Sequence, residues 1–316
     1  MAISDEVLAS AAPPRTLWAG TIYSIRAIFG HRELLGLLVR RELKARYKDS
    51  SLGFLWTLIR PVTQLLIYYV AVGKFLGAER SIPEFAIYIF TGLTVWALFS
   101  EAISTGTSSI VSNAGLVKKV YVPRELFPLA AMGSSIVNFA IQFGILLAAI
   151  LITQPPPFIT SDVWLVPMGF VALVLLGFAL GLFLSAANVY LRDIKYLIDV
   201  GLLVFFWASP IVYSFDMVHR VLNGNWIEQL YLLNPVTIVM LAFQKVLWQS
   251  GTTGFAGTPG AADLNADGIP DDAVPAVYFP PDLELRLLII IGISLVLVWV
   301  AQRFFARLEG NFAQEL

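Results

Sequence analysis

Six mostly apolar stretches constrain this chain more than any other feature, at about 54–76, 85–107, 128–152, 163–187, 197–213 and 285–305. A helix rising about 1.5 Å per residue needs roughly 20 such residues to cross about 30 Å of hydrocarbon. No soluble domain has room to bury so many of them, and 58% of all residues are hydrophobic while only 14% are charged. The expected fold class is an all-α membrane protein with six transmembrane helices.

Charge orients the bundle, because Lys and Arg concentrate on the cytoplasmic side. Of the 21 Lys and Arg, only Lys74, Arg80, Arg220, Lys245 and Arg286 fall in the segments assigned outside, and Arg60 lies within the first apolar stretch. The remainder, including Arg15, Arg26, Arg32, Arg40, Arg41, Lys118, Lys119, Arg124, Arg192, Lys195, Arg303 and Arg307, fall inside. Six crossings then place both termini in the cytoplasm. Asp5 and Glu6 without an apolar core do not read as a cleaved signal. The absence of cysteine excludes disulfides and thiolate metal sites.

The run Lys118-Lys119-Val120-Tyr121-Val122-Pro123-Arg124-Glu125 separates the second and third stretches. Each charge left in hydrocarbon costs roughly 2.5–3.5 kcal/mol, so this run belongs in water on the inner side. A second inner loop carries Arg192, Asp193 and Lys195. Upstream, Leu35, Val39, Leu43 and Tyr47 recur every four residues opposite Arg41, Lys44 and Lys48. That pattern predicts an amphipathic interfacial helix along the inner leaflet, with the alternative of a cytoplasmic helix packed on the bundle. Domain limits follow: an inner amino-terminal part at 1–52, the membrane part at 53–307 and an inner tail at 308–316.

Between the fifth and sixth stretches, 214–283 is too long for a turn. Residues 226–233 and 236–248 are too short or polar to span, yet too apolar for open water, and read as helices re-entering the outer leaflet. Asn234 is expected to cap the second of them, with Pro235 at its first position. Asp263, Asn265, Asp267 and Asp271 alternate as calcium-loop ligands do, but Val274 stands where a bidentate carboxylate belongs, so a solvated acidic turn is preferred and no metal is expected. Glu101 is the carboxylate deepest in a crossing, and a structural hydrogen bond explains a single such group better than a proton relay. Aromatic residues gather at Trp56, Tyr68, Tyr69 and Phe75 and again at Phe205, Phe206, Trp207 and Tyr213. Flat rings suit the C–H faces of sugars, whereas belt and core packing is the ordinary use of membrane aromatics.

The order of these pieces resembles the membrane subunits of ABC-2 type exporters, in the branch that handles O-antigen, teichoic acid and galactan polysaccharides. Four matches carry the resemblance: Arg41 to Lys48 with Ser51 to Trp56, Lys118 to Glu125 with Pro128, Asn234-Pro235, and the tail Leu308 to Ala313. Residues 251–282 depart from the family pattern. The resemblance implies a homodimer that exports a lipid-linked polysaccharide, embedded in the cytoplasmic (inner) membrane lipid and powered by a separate ATPase subunit. It implies contact with that ATPase through Lys118, Lys119, Tyr121, Pro123, Arg124, Glu125 and Arg192. It also implies that the outer helices form an exit gate. The ATP and Mg would sit on the partner, since no Gly-x-x-x-x-Gly-Lys-Ser/Thr loop is present here, and no cofactor on this chain and no nucleic acid is expected. The competing readings are an ABC-2 exporter of drugs, haem or lipid, and a membrane-embedded glycosyl- or acyltransferase. The last would need a His motif or paired carboxylates, whereas His31 and His219 are assigned to opposite sides.

Overall fold

The computed structural model describes residues 17–46, 56–80, 82, 84–119, 122–153, 162–222, 224–248 and 278–316. Among these, every regular element is helical. Four helices are long and apolar enough to cross a membrane: Phe85–Ser112, Leu126–Ile152, Leu165–Tyr190 and Leu283–Glu315. They match the second, third, fourth and sixth apolar stretches.

In chain order, α1 (Leu17–Gly30) and α2 (Arg32–Arg46) precede α3 (Trp56–Tyr68), which continues as a π-helix over Tyr69–Phe75. Then come α4 (Phe85–Ser112), the short α5 (Ala114–Lys119), α6 (Leu126–Thr153) and α7 (Leu165–Tyr190). Next are α8 (Ile194–Trp207), α9 (Phe215–Leu222), α10 (Trp226–Leu232) and α11 (Pro235–Leu247). The chain closes with α12 (Leu283–Leu308), a 3₁₀ turn over Glu309–Asn311, and α13 (Phe312–Glu315).

Helices α4 and α7 form the spine. Lipid tails are as apolar as leucine, so spanning helices associate by close packing, which small residues permit. A Cβ on Gly106 of α4 would stand 2.9 Å from the Cα of Gly181 on α7, and one on Gly177 would stand 3.1 Å from Ala102 Cβ. The two backbones touch there, and no other residue fits at Gly106. Around the spine, α6 packs on α4 and α12 packs on α7. Two buried apolar clusters result. One, at the end expected to face outside and called the outer end, runs from Ile82 through Phe139 and Phe243 to Leu287; the other, at the end expected to face the cytoplasm and called the inner end, centres on Ile110, Leu126, Phe305 and Phe312.

The first and fifth stretches fold differently from the other four. In the first, 13 residues in α-form and 7 in π-form cover Trp56–Phe75, with Pro61 inside the helix. The fifth ends at Trp207, where Ser209-Pro210 follows, so α8 has 14 residues and a length of about 21 Å, short of the roughly 30 Å core. Helices α10 and α11 are bent by 83° at the predicted break and count as one further span only if taken together. Asn234 accepts a hydrogen bond from Val236 N at 3.1 Å with Pro235 at the first helical position, as its sequence predicts.

Helix α2 packs on α6. Leu38 is buried, Leu34, Leu35 and Val39 join the inner cluster, and Val39 Cγ2 occupies the space that a Cβ on Gly133 would need, at 2.8 Å. This packing joins α2 to the bundle along one face and leaves Arg40 and Lys44 exposed on another.

Candidate functional site

The inner end is a set of side-chain ties between elements far apart in sequence. Helix α4 stops at Asn113, whose Nδ2 donates to Ser109 O at 2.7 Å while its Oδ1 accepts from the Arg41 guanidinium of α2. Helix α5 follows, with Val117 in the inner cluster and Lys118 and Lys119 exposed in its last turn. Cations at a helix C-terminus are favourably placed against its dipole. Pro123 and Arg124 are half-buried, and Glu125 is only 4% exposed. Gln302 Nε2 of α12 donates to Glu125 Oε1 at 3.0 Å and to Ser24 Oγ of α1 at 2.8 Å, and Arg303 Nε donates to Gln302 Oε1 at 2.7 Å. A buried carboxylate is costly unless hydrogen bonds satisfy it, and Gln302 supplies one.

The tail completes this end. Phe312 is fully buried, with ring centroids 5.3 Å from Phe305 and 6.2 Å from Tyr190. The Arg124 guanidinium lies 5.9 Å from the Phe312 ring, and Tyr190 donates to Leu308 O at 3.0 Å. The Leu283–Glu315 helix has 33 residues and is about 50 Å long, so its last turns stand clear of a hydrocarbon core of about 30 Å. In those turns burial, with repulsion from Glu125, pushes the Glu309 carboxyl up to about 7, against the opposing pull of Arg124 and Arg303.

The expected ATPase contacts therefore separate into two groups. Lys118, Lys119 and Arg192 present their charges outward, while Glu125 and, in part, Arg124 are used inside the protein. Tyr121 lies outside the described residues. Of the interfacial set, Lys44 is exposed, Arg41 turns inward to Asn113 and lies 3.2 Å from Glu42, and Lys48 lies outside the described residues.

The aromatic set is split as well. Trp56, Phe205 and Trp207 are exposed, Tyr68, Tyr69 and Tyr213 are half-buried, and Phe206 is 8% exposed. Phe206 packs edge-on against Trp96 at 5.6 Å and beside Tyr68 at 6.0 Å, so it joins the ends of α3 and α8 to the middle of α4. Phe206 belongs to packing, and any path is left to the exposed rings. Glu101 accepts from Asn138 Nδ2 at 2.7 Å, the structural hydrogen bond that a lone intramembrane carboxylate calls for.

The outer end is built around the chain break after α8. Carbonyls freed by such a break must find donors, since the membrane core offers no water. The Tyr88 hydroxyl lies 2.9 Å from Pro210 O and 2.7 Å from Tyr213 O and shares its one proton between the two carbonyls. Gln244 donates to Pro210 O at 2.9 Å, Asn234 to Ala208 O at 3.3 Å, and Tyr213 to Trp207 O at 2.8 Å. Farther out, buried Glu228 meets His219 Nδ1 at 2.9 Å and accepts from Gly224 N at 2.8 Å, while the His219 ring stacks on Tyr278 at 3.8 Å. Lys245 pairs with Asp162 at 2.7 Å. Among the described residues no three His, Asp or Glu converge as a metal site, and Asp263, Asn265, Asp267 and Asp271 lie outside them.

Ser24, Asn113, Gln302, Tyr88 and Gln244 escape a reading of the sequence alone. Nothing local distinguishes them from the other polar side chains of these helices.

With this geometry in place, comparison with known proteins is specific. The family described as ABC-2 type transporter matches residues 33–248. The O-antigen export system permease protein RfbA of Myxococcus xanthus is 28% identical over 294 residues, covering 92% of this chain and 98% of that protein. The protein of the same description from Klebsiella pneumoniae is 26% identical over 223 residues, covering 71% and 83%. The polysialic acid transport protein KpsM of Escherichia coli is 22% identical over 214 residues, covering 66% and 80%.

Proposed function

The chain belongs to the ABC-2 type transporter family, and on that premise we propose that it is the permease subunit of an exporter of lipid-linked polysaccharide. The observation that carries this is the near end-to-end similarity to an O-antigen export permease. Two copies would surround the path, each served by a separate ATPase subunit that binds ATP and Mg. In this reading α3 with its π-helical continuation and α8 with the segment after it complete six crossings in the inner membrane, with both termini cytoplasmic.

The division of the inner end supports a division of labour. Exposed Lys118, Lys119 and Arg192 suit a docking partner, and the Glu125–Gln302–Ser24 tie connects the docking loop to α1 and α12. A push on α5 would therefore reach several helices at once. On the path itself, Trp56, Phe205 and Trp207 offer ring faces without a fixed hydrogen-bond pattern, which suits a polymer that must slide.

The experiment is ATP-driven movement of a lipid-linked glycan into vesicles holding this chain with its ATPase, paired with removal of the gene and measurement of surface polysaccharide. The expected result is uptake that needs ATP and loss of surface polysaccharide. Normal surface polysaccharide together with lost tolerance to a small amphiphilic drug would overturn the proposal in favour of a small-molecule exporter.

A further inference from the structure

Two opposite charges stand exposed partway along α3 and α8, the helices that complete the six crossings in the reading above. On α12, by contrast, the exposed residues between Leu285 and Val300 are Leu, Ile, Val and one Gly, the composition expected against lipid tails. On α3, Arg60 is exposed with Thr63 and Gln64 in positions i, i+3 and i+4, so the three form one polar stripe. On α8, Ile198, Leu202 and Phe206 turn toward the bundle, while Asp199 and Leu203 are exposed on the next stripe. Neither Arg60 nor Asp199 has a hydrogen bond or ion pair among the described residues, and Lys195, one turn before Asp199, does not reach it. The two charges stand level with each other. Tyr68 of α3 meets Phe206 of α8, and Arg60 and Asp199 each lie about two turns before those rings. Both helices start from the inner end, one following α2 and the other following Tyr190 of the inner cluster.

We propose that Arg60 of one copy pairs with the partner's Asp199, and the reverse by symmetry, so that two ion pairs hold the inner part of the seam between copies. The proposal rests on the two-copy reading of the exporter and adds the residues by which the copies recognise each other. A carboxylate at this depth is repelled by the anionic inner leaflet, and its side chain is too short to reach water as a long cationic one does. A cation at the same depth relieves both costs, and the guanidinium fork fits a carboxylate through two hydrogen bonds. Lipid tails are as apolar as leucine, so the exposed apolar residues of α3 and α8 give assembly no direction. The charges do. About a two-fold axis, a surface bearing one charge of each sign is complementary to itself, so a single geometry satisfies all four groups. Copies displaced by one helical turn would leave those four charges unpaired at membrane depth, and the pair thereby selects one register.

The cysteine-free chain makes the test clean. The complete permease–ATPase complex is assembled in membranes from two differently tagged copies, one carrying R60C and the other D199C. A short bifunctional thiol reagent, with a reach suited to an Arg–Asp pair, should join the two tags. The yield should be at least tenfold above that from two R60C copies or from two D199C copies. No cross-link between the tags would overturn the proposal, and so would an equal yield from two R60C copies, which would set α3 against itself. Both cysteines placed in one copy, with none in the other, should give little internal cross-link. A faster internal reaction would overturn the proposal by making the pair a contact within the chain. Charge supplies the second arm. R60D and D199R should each lower recovery of one tagged copy through the other at least fivefold, and the double variant R60D/D199R should return it to within twofold of the parent. Parental recovery in both single variants would overturn the proposal by making the two residues separate headgroup anchors. Cross-linking does not depend on transport. Cross-links in a protein whose removal leaves surface polysaccharide intact would therefore sink the export reading and leave the pair standing, and their absence from a working exporter would sink the pair alone.

Discussion

The two ends of the bundle solve opposite problems. At the inner end, intact helices are tied to one another: Ser24, Glu125 and Gln302 join α1, the start of α6 and α12, and Arg41 with Asn113 joins α2 to the end of α4. At the outer end, the hydrogen bonds mainly repair one broken place, as Tyr88, Gln244, Asn234 and Tyr213 serve the carbonyls from Trp207 to Tyr213. Ties between distant elements spread a push, whereas bonds to a freed backbone hold a local shape. The inner end is thus suited to receiving force from a partner, and the outer end to keeping irregular backbone inside a membrane.

The largest effect should come from cutting the inner end at its buried ring. Phe312→Ala removes a fully buried aromatic, which costs about 3–5 kcal/mol. In detergent, thermal unfolding should shift strongly downward and the tail should become open to protease, while thiol labelling at an introduced outer-end cysteine stays unchanged. If the outer end loosens equally, the two ends are one unit and the comparison fails.

Tyr88→Phe tests the outer end with little change in volume. It leaves the Tyr213 carbonyl without the Tyr88 donor and the Pro210 carbonyl with Gln244 alone, at a cost of about 1–3 kcal/mol per unsatisfied group. The folded fraction should fall, with ATPase association retained. Loss of ATPase association in this variant would show that the outer repair also governs the docking face.

What the sequence reveals follows from the scale of each signal. The four long spans are legible because each rests on more than twenty residues of uniform chemistry, and the Asn234-Pro235 break because capping is local. The fifth stretch reads as continuous, although Ser209-Pro210 ends its helix at Trp207. Phe206 and Trp207 look alike in sequence, yet one is core and the other exposed, because the difference is set by Trp96 and Tyr68 from other helices. Likewise Lys118 and Glu125 stand in one charged run, but Gln302, far along the chain, decides that Glu125 turns inward. Position on a helix face can be read from spacing. The partner across the bundle cannot.

Reversing charge at Lys118 and Lys119 sharpens the contrast between surface and tie. Both are exposed, so Lys118→Glu with Lys119→Glu should change stability by no more than about 0.5 kcal/mol. Co-purification of the ATPase should still drop about tenfold, or roughly 1.4 kcal/mol, if a partner surface matched to cations meets like charge. Undiminished co-purification would make these residues anchors of topology only.

The smallest effect should be a pH dependence confined to the inner end. Glu309 is held near 7 in the folded protein against an ordinary carboxyl value of 4.5, first by burial and then by Glu125. A carboxyl raised on folding favours the docked tail when protonated. Its contribution is complete below about 4.5, declines as pH rises toward 7, and is gone above 7. Between about pH 4.5 and 7, therefore, amide exchange across residues 309–316 should accelerate beyond the intrinsic rise with pH, while exchange in α11 at the outer end should not. Glu309→Gln keeps the shape and removes the titration, so its corrected exchange should stay at the low-pH level throughout. Matching slopes for the parent and the variant would mean that Glu309 is already charged in the docked tail. Arg124 and Arg303 would then outweigh burial, and the tail would be held by ion pairing and the Phe312 ring together.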